Sequence, residues 1–333
     1  MKRIFALLLC VCMLAGVLTA CKTTDTKAGD TTAAPAGTNA PTDGTSESDG
    51  DKNEALKASL KAGFLKDADE VTVNEDSVTF RDATSADGSA VTVKKNPAKV
   101  INLYASFTTL WYEAGGSVLG CIGGNSSQEL YKEYIGRDIT TDEGMTVVAT
   151  SSSGKKWNVE SIVALQPDLI ICSTAMSGYS TIESPAKAAN IPVIAVSYND
   201  FSDYLKWFKV FCNLSGHAEL WESIALKALD EVVEVLCEIP DGKAPTVFSM
   251  FANASKLEAN TSSTVVGGMV TAMKATNIVD SWPNTEGADR LTINLRLCLP
   301  QIPILLSFSA TRERTRQRNR LPKPTGTMPF GIR

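Results

Sequence analysis

The chain holds one histidine, His217, and eight cysteines, at positions 10, 12, 21, 121, 172, 212, 237 and 298. A three-histidine zinc site cannot be assembled from it, and a Ser-His-Asp triad would have to run through that single imidazole. His217 follows Ser215-Gly216 at a helix start and reads as a surface or capping residue. The five cysteines from 121 onward share no CxxC spacing and read as small buried apolar residues, with one disulfide left open in an exported protein. Gly154-Lys155 is a fragment of a phosphate loop, but Ala149 stands where the upstream glycine is required and Lys156 where the hydroxyl is. No GxSxG elbow and no GxGxxG after a strand is present. The expectation is a protein that performs no chemistry and carries no cofactor or metal of its own.

Chemistry on the chain itself is written at Cys21. Lys2 and Arg3 precede an apolar run from Ile4 to Leu18 that is too short to span a hydrocarbon core of about 30 Å, so residues 1–20 read as a signal peptide. The run closes with Leu18-Thr19-Ala20-Cys21, which resembles a bacterial lipoprotein box; the resemblance makes Cys21 the acylated mature N-terminus, palmitate included. From Lys22 to Ala55 no Val, Ile, Leu, Met or aromatic residue occurs. Such a stretch cannot bury a core, and 21–55 reads as a disordered tether between bilayer and folded part. The localisation expected is the cell membrane, lipid-anchored, facing the extracellular side or periplasm.

The remaining elements must position whatever the protein binds. At 333 residues, 44% hydrophobic and 21% charged, the chain has room for about two domains. A net charge of -5 without a dominant basic block argues against nucleic acid as partner. Glu70–Val73, Ser77–Phe80 and Ala90–Lys94 alternate as strands around a turn at Asp87-Gly88. After Pro97, strand and helix patterns follow in alternation: strands at 99–103, 117–120, 168–172 and 191–196, helices at 107–114, 159–165 and 182–189. A long helical region lies between Phe201 and Leu236, ending at Pro240, and a strand at 246–251 with a helix at 263–275 opens a second lobe. This beat implies parallel sheets covered on both faces.

The segment Asn158-Val159-Glu160-Ser161-Ile162-Val163-Ala164-Leu165-Gln166-Pro167-Asp168-Leu169-Ile170-Ile171 resembles a stretch of the substrate-binding lipoproteins of iron-siderophore, haem and cobalamin ABC importers. The hairpin and strand from Asp87 to Ile101, the helix from Gly216 to Val235, and Thr276-Asn277-Ile278-Val279-Asp280 resemble the same family. The resemblance implies an α/β fold of two Rossmann-like lobes joined by one long helix, with an ABC permease, its ATPase and a small chelate ligand as partners. The division expected is 56–212 for the N-terminal lobe with its leading hairpin, 213–240 for the interlobe helix, and 241–295 for the start of a second, incomplete lobe.

The pattern stops at Arg296, where the family has a glutamate. From there to Arg333 the chain carries +7 against -12 for the rest, and Pro300, Pro303, Pro322, Pro324 and Pro329 discourage regular structure. A basic tail for anionic lipid or cell wall is one reading; the reading favoured is that 296–333 is a frameshifted terminus.

Ligands of open α/β lobes lie beyond the carboxyl ends of the strands. The residues there are Tyr104, Ser106, Phe107, Asn125, Ser173, Tyr179, Phe251 and Asn253, with Trp111 read as lobe core. This aromatic and hydroxyl-rich set suits a bulky chelate or macrocycle better than a bare metal ion. By resemblance Glu160 docks against arginines of the permease; it also suits a helix start, where a carboxylate complements the dipole. The function expected is capture of an iron chelate, haem or cobalamin for an importer. The alternative is a cell-surface sensor or adhesion module using the same lobes without a transporter, and an enzyme ranks third.

Overall fold

The computed structural model describes residues 49–85, 88–150, 157–239, 242, 244–252, 256–283, 285, 287–293 and 306–310. The signal peptide, Cys21 and most of the tether lie outside these residues, as do Asp87, Gly154-Lys155, Asn253, Arg296, Cys298 and the end of the tail. Two compact units divide at Pro240 and Asp241.

The first unit opens with α1 (Asp49–Asp69), which begins inside the stretch expected to be tether. The correction has a packing cause: Leu60, Phe64 and Leu65 lie against the core, with Ala68 fully buried. Once that half is docked, each further residue adds one hydrogen bond without a new nucleation cost, so the helix runs back into polar sequence. Phe64 meets the Phe201 ring edge-on at 5.5 Å, and Lys209 Nζ donates to the Ala68 carbonyl at 2.9 Å.

Strands β1 (Thr72–Val73), β2 (Ser77–Phe80) and β3 (Val91–Lys94) form an antiparallel sheet in that order, burying Val78, Phe80 and Val93. Then β4 (Val100–Asn102), α2 (Ala105–Glu113), β5 (Gly120–Ile122), α3 (Asn125–Tyr134), β6 (Thr146–Ala149), α4 (Val159–Ala164), β7 (Leu169–Ser173), α5 (Tyr179–Ala188) and β8 (Val193–Val196) follow in alternation. The five strands pair parallel in the order β6-β5-β4-β7-β8, so the chain builds outward from β4 on one side and then crosses to the other. The apolar runs read as buried strands divide by the period of two: Leu169 and Ile171 enter one core cluster, Ile170 and Cys172 the other. Asn158 caps α4, its Oδ1 accepting from the Ser161 amide at 3.0 Å.

The helical region expected between Phe201 and Leu236 consists of two helices and a π-helical turn. Helix α6 (Phe201–Ser215) ends at Gly216, whose φ of +82° suits glycine, and where a Cβ would collide with the Asn96 side chain. A π-helical turn (Trp221–Leu226) then runs into α7 (Lys227–Cys237), which buries Leu229, Val233 and Leu236. The segment taken as an interlobe helix thus packs within the first unit, Ala225, Leu229 and Val233 joining its core.

The second unit is centred on β9 (Thr246–Ala252), which pairs antiparallel with β10 (Leu257–Asn260) and parallel with β11 (Thr276–Asn277). Helix α8 (Val265–Ala272) lies between β10 and β11, and β12 (Arg290–Thr292) adds antiparallel to β10. The α/β class holds, but this sheet is mixed where a parallel one was expected. Residues 306–310, within the tail expected to lack regular structure, form β13 (Leu306–Ala310), parallel to β9. The proline argument fails locally because none of these five residues is proline, and backbone pairing needs no other feature.

Trp207 ties three elements together: it is buried in α6, lies edge-on to Phe80 of β2 at 5.8 Å, and donates Nε1 to the Ser197 carbonyl beyond β8 at 2.7 Å. Trp207→Ala is expected to cost about 3–5 kcal/mol. The measurement is urea unfolding, in which the midpoint falls while the slope is unchanged.

Candidate functional site

The strand order reverses beside β4, so the connections leaving β4 and β7 part to opposite sides of the sheet, the place where open α/β sheets as a rule bind their ligands. Asn102 ends β4 there. It is fully buried, its Oδ1 accepts from the Tyr104 amide at 3.2 Å, and its Nδ2 has no partner among the described residues. A buried amide donor without an acceptor costs on the order of 1–3 kcal/mol, which sets Asn102 apart from ordinary core residues.

Tyr104 stands at the N-cap of α2 with extended backbone and is half-buried. Its ring lies 4.8 Å from that of Phe107, which is 5% exposed and in turn 6.5 Å from Tyr198. Tyr198, beyond the end of β8, is 36% exposed. The three rings form a connected aromatic surface on one side of the reversal. Ser106 is exposed on the first turn of α2.

The other candidates fall elsewhere. Asn125 is exposed at the start of α3, after Gly124, whose φ of +94° and close approach to the Thr150 carbonyl leave no room for a side chain. Ser173 ends β7 buried, with its Oγ accepting from the Ala175 amide at 3.3 Å, so it shapes the turn. Tyr179 starts α5 against the second core cluster, whereas Tyr104 packs against the first. Burial, with Glu183 and Asp82 nearby, pushes the Tyr179 phenol well above its ordinary pKa. Phe251 belongs to the second unit. Trp111 is core, 1% exposed, with Nε1 donating to the Ser117 carbonyl at 2.9 Å.

Two residues escaped the sequence reading. Tyr198 obeys the strand-end rule applied to the other strands and was legible by it. Asn102 carried no signal, because only tertiary packing leaves its amide without a partner.

Glu160 is exposed in the first turn of α4, consistent with a carboxylate at a helix start. His217 is exposed, its Nδ1 3.3 Å from Glu219 Oε1. Among the described residues no three His, Cys, Asp or Glu side chains come together as a metal site would require. Cys121, Cys172 and Cys212 are free and buried, and Cys237 is free and half-buried. Burial pushes the Cys121 thiol up to about 11 and those of Cys172 and Cys212 up to about 12.

A family model described as periplasmic binding protein matches residues 103–294, more than half of the chain. The chain belongs to the periplasmic binding protein family. Among solved structures, this binding protein is similar to the catecholate-siderophore-binding protein VctP from Vibrio cholerae, with 10% identity and a TM-score of 0.56 over 71% of this chain and 78% of that one. It is similar to SirA of Staphylococcus aureus, solved with staphyloferrin B, with 16% identity and a TM-score of 0.53 over 72% and 78%. An ABC transporter substrate-binding protein from Listeria monocytogenes gives 15% identity and a TM-score of 0.50 over 65% and 76%. At these identities the likeness establishes the fold. Among curated protein sequences none matches. Family and neighbours are substrate-binding proteins, not enzymes. No described helix is long and apolar enough to cross a membrane.

The thiol environments generate a test. With pKa values of about 11 and 12, Cys121, Cys172 and Cys212 are protonated at pH 8 and should resist a disulfide labelling reagent until the protein unfolds, whereas the half-buried Cys237 reacts first. Because these folded-state values lie above the unfolded one, their contribution to stability is complete below about pH 8.5 and is lost as pH rises toward 11 to 12. Labelling kinetics with and without urea, and unfolding across that pH range, measure both.

Proposed function

We propose that the protein is a lipid-anchored solute-binding component of an ABC importer, capturing an iron chelate, haem or corrinoid and delivering it to a membrane permease and its ATPase. Family membership supports the solute-binding role. The observation that carries the ligand class is the aromatic surface of Tyr104, Phe107 and Tyr198 beside the strand-order reversal. Flat rings of this kind give large contact area at low entropic cost, which suits a bulky, partly apolar chelate. Two of the similar structures carry siderophore ligands in their descriptions, a catecholate class for VctP and staphyloferrin B for SirA.

Cys21 supplies the lipid anchor in this reading, and two or more acyl chains make such a hold stable. Glu160, exposed on α4, is the permease contact; a rim charge of this sort sets orientation and on-rate more than affinity. Ser106, exposed on the first turn of α2, is the polar group carried over from the strand-end rule to this surface.

Fluorescence titration with ferric siderophores, haem and cobalamin tests the reading. At least one should quench saturably, with Tyr104→Ala and Tyr198→Ala each weakening it by about 10-fold; no response to any of the three classes overturns it. In cells, Cys21→Ser should move the protein out of the membrane fraction, and Glu160→Arg should slow uptake while leaving ligand affinity unchanged.

A further inference from the structure

The aromatic surface of the first unit owes its outermost ring to a short loop. Ser197, Tyr198, Asn199 and Asp200 join the end of β8 to the start of α6, and Tyr198, 36% exposed, is the most exposed of the three rings. Its centroid lies 6.5 Å from that of Phe107, and it has no other ring contact among the described residues. With so little packed around it, the direction of this ring depends on the backbone that carries it.

That backbone is gripped on both sides of Tyr198 by side chains of α6. A peptide unit is a rigid plane, so the two planes that meet at a Cα define the φ and ψ of that residue. The plane between Ser197 and Tyr198 is held by its carbonyl, which accepts from Trp207 Nε1 at 2.7 Å. The plane between Tyr198 and Asn199 is held by its N–H, which donates to Asp203 Oδ2 at 2.7 Å. Together the two bonds define where the Cα–Cβ bond of Tyr198 points. Asn199 Nδ2 also donates to Ser197 Oγ at 3.4 Å, closing the loop on itself.

Asp203 makes its bond from a helix cap used in an unusual way. Asp200 is the N-cap of α6, its Oδ1 accepting from the Asp203 amide at 3.0 Å, and an acceptor three residues on usually returns to the N-cap amide. The Asp203 carboxylate returns one residue further, to Asn199, and so fastens the loop rather than the helix end. An ionised acceptor makes such a bond about twice as strong as a neutral one. The two grips differ in what else depends on them: Trp207 belongs to the core, whereas Asp203 is half-buried and can be shortened without opening a cavity there.

We propose that Asp203 is a positioning residue for ligand binding: acting through the Asn199 amide, it sets Tyr198 in its binding orientation before the ligand arrives. The proposal rests on the reading of Tyr104, Phe107 and Tyr198 as the solute-binding surface and adds what makes that surface pre-formed. Ordering a backbone residue at the moment of binding would otherwise subtract from affinity.

Two measurements on the whole chain test it, the first without ligand. Amide hydrogen exchange at Asn199 should quicken by about 10- to 100-fold in Asp203→Ala and return most of the way in Asp203→Asn, whose side-chain oxygen can still accept. The second is fluorescence titration with haem, cyanocobalamin and a ferric tris-catecholate. Whichever probe binds should bind about 5- to 30-fold more weakly to Asp203→Ala, with Asp203→Asn close to the unsubstituted protein. In a Tyr198→Ala background the same Asp203→Ala change should alter affinity by less than about 2-fold, because a residue that acts through Tyr198 then has nothing left to position.

An Asn199 amide indifferent to Asp203→Ala overturns the proposal, as does a loss of affinity that is equal with and without the Tyr198 ring. If exchange responds but none of the three probes binds, the solute-binding reading is overturned while the hold of Asp203 on Tyr198 is confirmed. A probe whose binding needs Tyr198 yet ignores Asp203→Ala does the reverse.

Discussion

A parallel sheet exposes no face that water can satisfy cheaply, because its crossover helices must lie on both sides and its strands are apolar throughout. In the first unit this constraint is met by two clusters that share each strand between them: Leu169 and Ile171 face the side built by α2, α6 and α7, and Ile170 and Cys172 face α4 and α5. Burial of four consecutive apolar side chains is what holds β7 beside β4. Everything that leaves the carboxyl edge of the sheet inherits its position from that pairing. Asn102, whose amide has no partner among the described residues, sits where the two directions of winding separate.

The two-sided core also explains why the strand-end residues do not act as one set. Tyr104 and Phe107 leave β4 toward the first cluster and meet Tyr198 from beyond β8, whereas Tyr179 turns onto the second cluster. Ser173 is spent on its own turn. On this unit Tyr104, Phe107 and Tyr198 therefore form one aromatic cluster, apart from the other strand-end residues.

The second unit solves a different problem. Its mixed sheet gathers Phe248, Met250, Ala259 and Val279 on one side and sets Ser249, Asn260, Glu258 and Arg290 on the other, beside Val247 and Phe251. An antiparallel β9–β10 hairpin makes this arrangement available, since antiparallel pairs tolerate one polar face. The guanidinium of Arg290 is fixed there by an amide from below and a ring beneath its plane, a degree of pre-organisation that an isolated surface arginine lacks.

What could be read from residues alone is what depends on local pattern. The α/β alternation, the helix start beside Glu160, the buried thiols and the core position of Trp111 each follow from spacing or from side-chain type. The helix at Asp49–Asp69 could not, because its first turns lack apolar residues and are carried by packing of Leu60 and Phe64 further along. Nor could the π-helical turn at Trp221–Leu226, because the apolar spacing from Leu220 to Leu236 continues through it. The antiparallel pairing of β9 with β10 and its parallel pairing with β13 depend on which edges meet in space. The sequence by itself determined the layering of strands and helices; the tertiary structure decided which amide is left without a partner and how Arg290 is held, because both are properties of how neighbours are satisfied.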